Sequence, residues 1–555
     1  MAIISSKALR LDRERNNLTA EAEIADDLPS ALVQEWRSQL WRYQNYWSWM
    51  DGRVWETVDI HANVQQGKAP PLLFPVQLNP IYTAAIIHRN TLWGETPDTG
   101  VPLVRPLAIP KRHGDVATTN RKSAKKDAQF VNDVLEAILY QSNSRSEFIE
   151  AGFVTQTLGG CVFKISYEPW NKNLMDGLPV AFRQIEPEYF LPIYTLSDRW
   201  HLREARLGRM IDAYEAKEIY GVDVSKRDRI LYLEKWKRNS VSVTVDGKPA
   251  TIRMGDARVE LSQKTDFGLV PFVYIPHEVV GQFYGVPIVQ EIANLLKEYN
   301  GRVADVGDAV RNSIERFIVL TNADAGDLRI KEMGSGIKVI ATGKEMAGTQ
   351  GKRVDLVGSI DLPSGTQDHI QFLKKEVWHS MFTPAVAYGE DEGSQRSALT
   401  LAFRMWPLTS HIRTERSLWV EGLRVMCDYA LRILHKKQTG DYGDLTKGTP
   451  WKVDKKHLGH MITMDWAPMI PRDRESEVNQ LILRHQDSQL STRMAIQKMG
   501  DIQDIDAELE EIEADEEKRL KREAKYAAQA SPTSSTSQKK PITDTQPPVS
   551  KVETD

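Results

Sequence analysis

The chain has 555 residues, 41% of them hydrophobic and 27% charged, so its length favours two or more globular domains over one core. The formal net charge of -4 excludes a globally basic nucleic-acid binder, but it does not exclude a protein that contacts DNA without binding it tightly. Cys161 and Cys427 are the only cysteines, which argues against a disulfide framework or a cysteine zinc site and predicts a reducing compartment.

The N-terminal segment MAIISSKALRLDRERN lacks the apolar core of a signal peptide, and no run of about eighteen apolar residues occurs, so we expect a soluble cytosolic protein. Residues 30–50 then predict a helix crowded with tryptophan and tyrosine, for which packing against the domain is favoured over stacking on bases. A second helix is predicted over 79–93, because Asn79 is a good cap, a proline follows it, and Gly94 comes directly after the end.

The next segment predicts a basic loop followed by a mixture of helices and strands. A solvated loop is favoured over an arm that contacts phosphates. Its cations are Lys111, Arg112, Arg121, Lys122, Lys125 and Lys126. Residues 128–157 have a helical pattern that Gly159 and Gly160 end, and the alternation of CVFKISYEP then predicts a strand. Further strands are predicted around 181–194, 229–236 and 241–253, mostly antiparallel, with a hairpin turn at Asp246-Gly247.

The pattern changes at residue 288, where apolar residues begin to recur every three or four positions. This stripe contains Ile288, Ile292, Leu295, Tyr299, Val303, Val306, Val310 and Ile314. It predicts one helix of about seven turns, with a narrow apolar face that needs a partner helix. Gly301 and Gly307 lie inside it, although a glycine in a helix costs about 1 kcal/mol relative to alanine. We therefore expect a neighbouring helix to approach closely at both positions.

A small glycine-rich insertion comes next in the chain. Residues 316–363 predict short strands and turns that form a separate α/β unit, and a helix is predicted over 366–383. Residues 385–408 read AVAYGEDEGSQRSALTLAFRMWPL, an acidic loop that runs into a second helical pattern. That pattern extends from Ser394 to about Lys437, and Pro407 should kink it because proline lacks an amide donor.

The C-terminal part is predicted to be helical up to a polar tail. Residues 456–467 end in the strand-like MITMDWAP. Residues 473–526 have helical patterns, with Asp473 as a cap and Gly500 as a stop. From residue 527 onward serine, threonine, proline and glutamine dominate, so this tail is expected to be disordered.

The sequence contains no recognisable catalytic constellation. The string from Gly336 to Lys344 has the wrong spacing for a phosphate-binding P-loop, and His277-Glu278 lacks the second histidine of a zinc-protease helix. The acidic residues 390–392 could hold a cation, but a solvated loop is favoured. We therefore expect no enzyme, no catalytic residue, no metal and no cofactor.

The order of these elements resembles that of the portal proteins of tailed double-stranded DNA bacteriophages. The resemblance covers roughly residues 30–520. It is carried by LGGCVFKISYEP with FRQIEPEYFLPIY, by VPFVYIPHEVVGQFYGVPIVQEIANLLKEYNGRVADV, by SQRSALTLAFRMWPL, and by WAPMIPRDRESEVNQLILRHQDSQLSTRMAIQKMGDIQDIDAELEEIEAD. No single motif is an invariant signature, so the order of the motifs carries the likeness. Gln395-Arg396 departs from it, because many relatives have a small, glycine-containing start to that helix.

The resemblance implies an α+β, mostly helical subunit of a portal-type ring with wing, stem, clip and crown regions. The regions would be a wing or body at 1–287, a first stem helix at 288–315, a clip at 316–363, a second stem helix at 364–384, a tunnel loop at 385–397, a kinked helix with a return to the wing at 398–472, crown helices at 473–526 and a disordered tail at 527–555.

The resemblance also implies roles for individual residues. Gly301 and Gly307 would pack the stem helices of the ring. Lys344, Lys352 and Arg353 of the clip would dock the packaging motor. Lys374 and Lys375 would lie on the helix that leads to the tunnel loop. The narrowest part of the channel would be lined by Tyr388, Gly389, Glu390, Asp391, Glu392, Gly393, Ser394, Gln395 and Arg396.

The implied function is a ring of usually twelve copies at one capsid vertex, through which double-stranded DNA is packaged and ejected. Its partners would be further copies of itself, the major capsid and scaffolding proteins, the large terminase and a head-tail adaptor, with non-specific DNA in the channel and no membrane. It would assemble in the host cytoplasm and reside in the virion. Acidic side chains in a mobile loop would repel phosphates and let DNA slide. Two alternatives stay open, namely another virion component such as an adaptor or minor head protein, and a metal-dependent nuclease.

Overall fold

The computed structural model divides the chain into two compact units, Met1–Ile470 and Pro471–Asp555, which are described separately. The structure describes residues 24–25, 27–51, 78–94, 103–110, 118–142, 144–171, 173–175, 178–195, 197–224, 230–254, 257–281, 283–314, 317–321, 338–342, 353–357, 365–390, 398–439, 451–469, 474–487, 490–499 and 505–529. The observed division falls two residues before the boundary predicted between 472 and 473.

Helices and mostly antiparallel sheets are combined in the first unit, as predicted for an α+β chain with more helix than strand. Its described helices are α1 (Ser30–Met50), α2 (Pro80–Trp93), α3 (Thr118–Gln141), α4 (Ser144–Leu158), α5 (Ala213–Glu218), α6 (Ile288–Ile314), α7 (Gly365–Ser380), α8 (Ala398–Arg404) and α9 (Trp406–Thr439). Its described strands are β1 (Val104–Ile109), β2 (Gly160–Tyr167), β3 (Val180–Ile185), β4 (Phe190–Ile193), β5 (Glu204–Ile211), β6 (Ile230–Lys237), β7 (Ser240–Val245), β8 (Lys248–Pro249), β9 (Thr251–Met254), β10 (Ala257–Glu260), β11 (Gln263–Lys264), β12 (Phe272–Pro276), β13 (Phe317–Thr321), β14 (Lys338–Thr342), β15 (Arg353–Val357) and β16 (Met461–Trp466).

The first two helices follow the local signals of the sequence. Asn79 caps α2, because its side-chain oxygen accepts a hydrogen bond from the backbone N–H of Tyr82, and Gly94 ends the helix with a positive φ of 74°. In α1 the aromatic side chains mainly pack inward, and Trp36 donates its indole N–H to the carbonyl oxygen of Phe190. Packing therefore explains most of the aromatic cluster, although Trp41 is 67% exposed.

The predicted basic loop is partly wrong. Helix α3 begins at Thr118, so the four cations from Arg121 to Lys126 lie on a helix rather than in a loop. The side chains of Lys125 and Lys126 are exposed, while Lys111 and Arg112 lie outside the described residues. The helical run predicted over 128–157 is also two helices, because residues 142–143 separate α3 from α4.

Two larger sheets lie in the body, beside the two-stranded pairs β9–β10 and β1–β16. The first has the order β12-β2-β3, and the second has the order β11-β7-β6-β5-β4, with β8 paired to β7. Gly159 precedes β2 with a φ of +83°, and a Cβ there would collide with the carbonyl group of Gly285, so the break is where glycine is required. The predicted turn at Asp246-Gly247 connects β7 to β8, with both residues at positive φ.

Helix α9 is the centre of the main hydrophobic core. It contacts β12, β2 and α2, and its residues Trp419, Leu423 and Met426 are buried. The expected kink is present, because the helical pattern is interrupted at Met405 and α9 begins at Trp406. Pro407 lies in the first turn of α9, where backbone N–H groups have no partner within the helix, so the N–H that proline lacks is not missed. Strand β16 lies within the predicted range 456–467, but its antiparallel partner β1 was not predicted from the sequence.

The predicted insertion between the two long helices contains a three-stranded sheet of order β14-β13-β15. Strand β13 is parallel to β14 and antiparallel to β15. The strands were predicted, and the glycine-rich connections between them lie outside the described residues.

The second unit contains helices α10 (Arg474–Gln486), α11 (Thr492–Met499) and α12 (Ile505–Gln529). The stop expected at Gly500 agrees with the end of α11 at Met499. Helix α12 continues three residues past the predicted boundary at 526, and residues 530–555 lie outside the described part of the chain.

Candidate functional site

Helices α6 and α7 form the pair that the apolar stripe predicted. The stripe is covered unevenly within the chain: Ile288, Ile292 and Tyr299 are buried, whereas Val310 near the other end is 45% exposed. Leu296 is buried as well, although the stripe was assigned to its neighbour Leu295. The N-terminal half of α6 therefore packs against the core of the chain, whereas the side chain of Val310, further along the helix, is partly exposed.

Gly301 and Gly307 of α6 do not face a close neighbour within the described chain. A Cβ added at either position would meet nothing within 4 Å. At 100° per residue, Gly301 lies on the side of α6 opposite the apolar stripe. The close approach expected at these glycines is therefore not made inside the described part of one subunit.

The turn after α7 brings the chain back against this helix at Tyr388 and Glu390. Phe382 adopts a φ of +54°, which is uncommon for a bulky residue, and a short 3-10 helix at Ala385–Tyr388 ends at Gly389 with a φ of 77°. The Tyr388 ring stacks on Trp378 of α7, with ring centroids 4.8 Å apart and an angle of 19° between the planes. The start of the predicted tunnel loop is thus attached to α7 by an aromatic contact.

An ion pair strengthens this attachment. The Lys374 ammonium donates to both carboxylate oxygens of Glu390, at 2.9 and 3.2 Å, and lies 4.5 Å from the centre of the Trp378 ring. The first acidic side chain of the predicted loop therefore has a cationic partner, and Tyr388 attaches the start of the loop to α7. Residues 391–397 of the predicted loop lie outside the described residues.

A cleft of about 270 Å³ opens beside this contact. Its walls come from the start of α2, from α6, from α7 and from the 3-10 turn. Its lining includes Leu78, Pro80, Tyr299, Lys374, Trp378 and Tyr388. Mostly apolar walls with one lysine at the edge suit a side chain of another protein segment better than a catalytic reaction.

Three histidines that are far apart in the sequence, His88, His277 and His411, lie close together beside this turn. His277 Nδ1 lies 2.8 Å from the Val286 carbonyl oxygen, and its Nε2 lies 3.5 Å from Nε2 of His411. His88 Nε2 lies 3.0 Å from the hydroxyl oxygen of Thr383, and Phe382 stacks on His411. The group comes from α2, the end of β12 and α9, so no local spacing indicated it.

Burial keeps these histidines neutral. Desolvation, together with the neighbouring His411, lowers the pKa of His277 to about 3. Burial and the other two histidines lower the pKa of His88 well below its usual value. Burial also lowers the pKa of His411, against an opposing effect of Glu291. The three histidines therefore form an uncharged cluster that packs against Phe382 and Thr383, in the turn between α7 and the predicted tunnel loop.

The remaining predicted site residues are only partly described. Arg353 is the first residue of β15, opposite Thr321 of β13, while Lys344 and Lys352 lie outside the described residues. Within the described ranges, no group of three histidine, cysteine, aspartate or glutamate residues is arranged to hold a metal ion. None of the described helices is both long and apolar enough to cross a membrane.

The family is decided by a comparison of the whole sequence with protein-family models. The model described as "Phage portal protein, SPP1 Gp6-like" matches residues 211–522, which is more than half of the chain. The chain belongs to this phage portal family. A search of curated proteins found no match. The portal match runs from the last residue of β5 through α6, α7 and α9 into α12, so it includes the helix pair and the turn between them.

Membership in the portal family confirms the predicted recognition and supports a structural rather than an enzymatic role. The family implies participation in capsid assembly and ring formation, at a capsid vertex of the virion. The matched range is shorter than the resemblance found in the sequence, which covered roughly residues 30–520, and it leaves α1–α4 outside.

Proposed function

We propose that this portal protein forms a homododecameric ring at one capsid vertex and conducts double-stranded DNA during packaging and ejection. The proposal rests on one observation, which is that helix α6 leaves surface exposed on two opposite sides. Within the described residues, Val310 of the stripe is 45% exposed, and a Cβ at Gly301 on the opposite side of the helix would meet nothing within 4 Å. In a closed ring, the neighbouring copies can cover surfaces that one subunit leaves exposed.

In this ring, α6 and α7 would be the stem helices at 288–315 and 364–384, and residues 385–397 would be the tunnel loop around the axis. The sheet within 316–363 would belong to the clip, residues 1–287 and 398–472 to the wing, and the helices of 473–526 to the crown. The support is the match of the portal family across α6, the sheet and α7, in the order that such a subunit requires.

The proposed partners follow from this arrangement. The clip, through Lys344, Lys352 and Arg353, would dock the large terminase and later a head-tail adaptor. The outer surface would contact the major capsid and scaffolding proteins. DNA would be bound without sequence preference, because a conduit must release each phosphate that it meets.

Ring formation is tested by native mass spectrometry and negative-stain imaging of the purified protein. We expect rings with a central hole wide enough to admit a DNA duplex, because the duplex would pass through it intact. Gly301→Leu should reduce ring formation, because the side chain would enter the space that a neighbouring helix needs. Lys125→Leu, which adds a similar apolar side chain on exposed α3, is the matched control. An unchanged ring in Gly301→Leu would contradict the proposed packing.

The channel assignment is tested with Asp391→Lys/Glu392→Lys, which leaves the Lys374–Glu390 pair intact. Rings should form normally, but packaging should slow or stall, because two added cations per subunit bind phosphates whose spacing along the duplex is about 1.7 Å. Higher salt should relieve part of the defect. Normal packaging rate and DNA length in this variant would refute the placement of the loop in the channel.

A further inference from the structure

Lys374 of α7 has its ammonium held by contacts with both an aromatic ring and a carboxylate. Its ammonium lies over the Trp378 ring, 4.5 Å from the centroid, and Tyr388 stacks on the same ring. Its side chain is 28% exposed, so it is neither buried nor swinging freely in solvent. A lysine fixed in this way loses less side-chain entropy on meeting an anion than an unrestrained surface lysine does.

Glu390 accepts hydrogen bonds from this ammonium with both carboxylate oxygens, but the ion pair is weak. Its side chain is 54% exposed, and water weakens an ion pair at such a position. Lys374 and Trp378 both lie on α7, so their contact does not need Glu390. Glu390 can therefore leave while Lys374 stays on the ring.

The other charged groups on this part of α7 do not compete for Lys374. Glu376 lies 3.7 Å from His379, within a helical i,i+3 pair. Lys375 is exposed beside Lys374 and adds a second positive charge. Tyr299 of α6 lines the same cleft and carries no charge near neutral pH, since burial raises its pKa. Departure of Glu390 would thus leave a local positive charge with no acidic substitute among these groups.

We infer that Lys374 is a binding position for a DNA backbone phosphate that Glu390 masks within the same subunit. The carboxylate and the phosphate compete for one ammonium, so each subunit holds its cation neutral until DNA displaces Glu390. The inference rests on the proposed function, because DNA must pass α7 for the phosphate to arrive. It adds a reversible cationic contact to a channel that the acidic loop alone would make purely repulsive.

The first experiment measures the mask itself by acylation of lysines with an N-hydroxysuccinimide ester, read out by mass spectrometry. In Glu390→Gln, modification of Lys374 relative to Lys375 should rise several-fold, because the ammonium loses its carboxylate partner. Glu376→Gln also removes one negative charge, from α7 itself, and should leave the ratio unchanged. An unchanged ratio in Glu390→Gln would overturn the inference.

The second experiment measures binding of a short DNA duplex to purified rings as a function of sodium chloride. Glu390→Gln should bind more tightly, and the slope of log K against log salt should steepen by about 0.9 for each phosphate gained. The gain should vanish in Lys374→Gln/Glu390→Gln, and Glu376→Gln should not reproduce it. A gain that persists without Lys374, or no gain in Glu390→Gln, overturns the inference.

The two failures are distinguishable. Rings in which Lys374 becomes reactive but DNA binding does not change would overturn the phosphate site and leave the proposed channel standing. A chain that forms no ring with a duplex-sized hole would overturn the proposed function and this inference together.

Discussion

Lowering the pH from 8 to 5 should destabilise the first unit through His277, and His277→Asn should remove this effect. The Val286 carbonyl oxygen can only accept a hydrogen bond, so Nδ1 of His277 carries the proton and Nε2 presents its lone pair to His411. Asparagine can still donate to the Val286 carbonyl, but it does not titrate. The substitution therefore preserves the structural hydrogen bond and deletes the proton uptake.

The magnitude follows from the pKa of His277, which is about 3 in the folded protein against an ordinary value of 6.5. The unfolded chain binds the proton near pH 6 and the folded chain does not, so stability is fully present above 6.5 and is lost as the pH falls towards 3. Between pH 8 and pH 5 the loss is about 2 kcal/mol. His88, His411 and Glu291 surround the site in both proteins, so the difference between them isolates His277.

The assay is urea unfolding followed by tryptophan fluorescence at each pH. All 14 tryptophans lie before residue 470, so the signal reports on the first unit. The free energy of unfolding should fall more steeply with acid in the parent protein than in His277→Asn, by about 2 kcal/mol. His369→Asn, at an exposed position of α7, should behave like the parent. Equal pH dependence in the parent protein and His277→Asn would refute the reasoning.

Three further outcomes are expected. Asn79→Ala should lower the free energy of unfolding by about 2 kcal/mol, because Asn79 caps α2 and also donates to the Met50 carbonyl oxygen. Urea unfolding measures this change, and a value near zero would contradict the cap. Glu415→Gln should make the free energy of unfolding less sensitive to a rise from pH 5 to 8, because burial raises the pKa of Glu415 to about 8 and the folded protein retains its proton. Equal pH dependence of the free energy of unfolding in the two proteins would contradict this. Removal of residues 530–555 should leave the melting temperature and ring formation unchanged, as expected for a polar tail, and a large loss of either would disprove it.

Much of the fold could be predicted where the signal is local. The cap at Asn79, the glycine before β2 and the turn at Asp246-Gly247 each depend on a few adjacent residues, and the structure has all three. The stripe of α6 was predictable for the same reason, because a helix repeats its own faces.

The missing parts depend on residues that are distant in the sequence. Strand β1 contains a proline and is stabilised by pairing with β16, more than 350 residues away, so its own six residues carry little signal. Lys374 and Glu390 were both considered near the loop, but their pairing depends on the 3-10 turn that brings them together. The sequence alone suggested an acidic loop, and only the turn shows that its first carboxylate is compensated.

The pairing of β1 with β16 has a consequence for synthesis on the ribosome. Residues 104–109 emerge early but must wait for residues 461–466 before their ladder can form, and the central helix α9 is also translated late. At a typical elongation rate of about 5–20 residues per second, this delay is tens of seconds. A prematurely terminated chain would lack both elements and could not complete the first unit. A fragment that ends before residue 406 would leave β1 without its partner strand and the main core without its central helix.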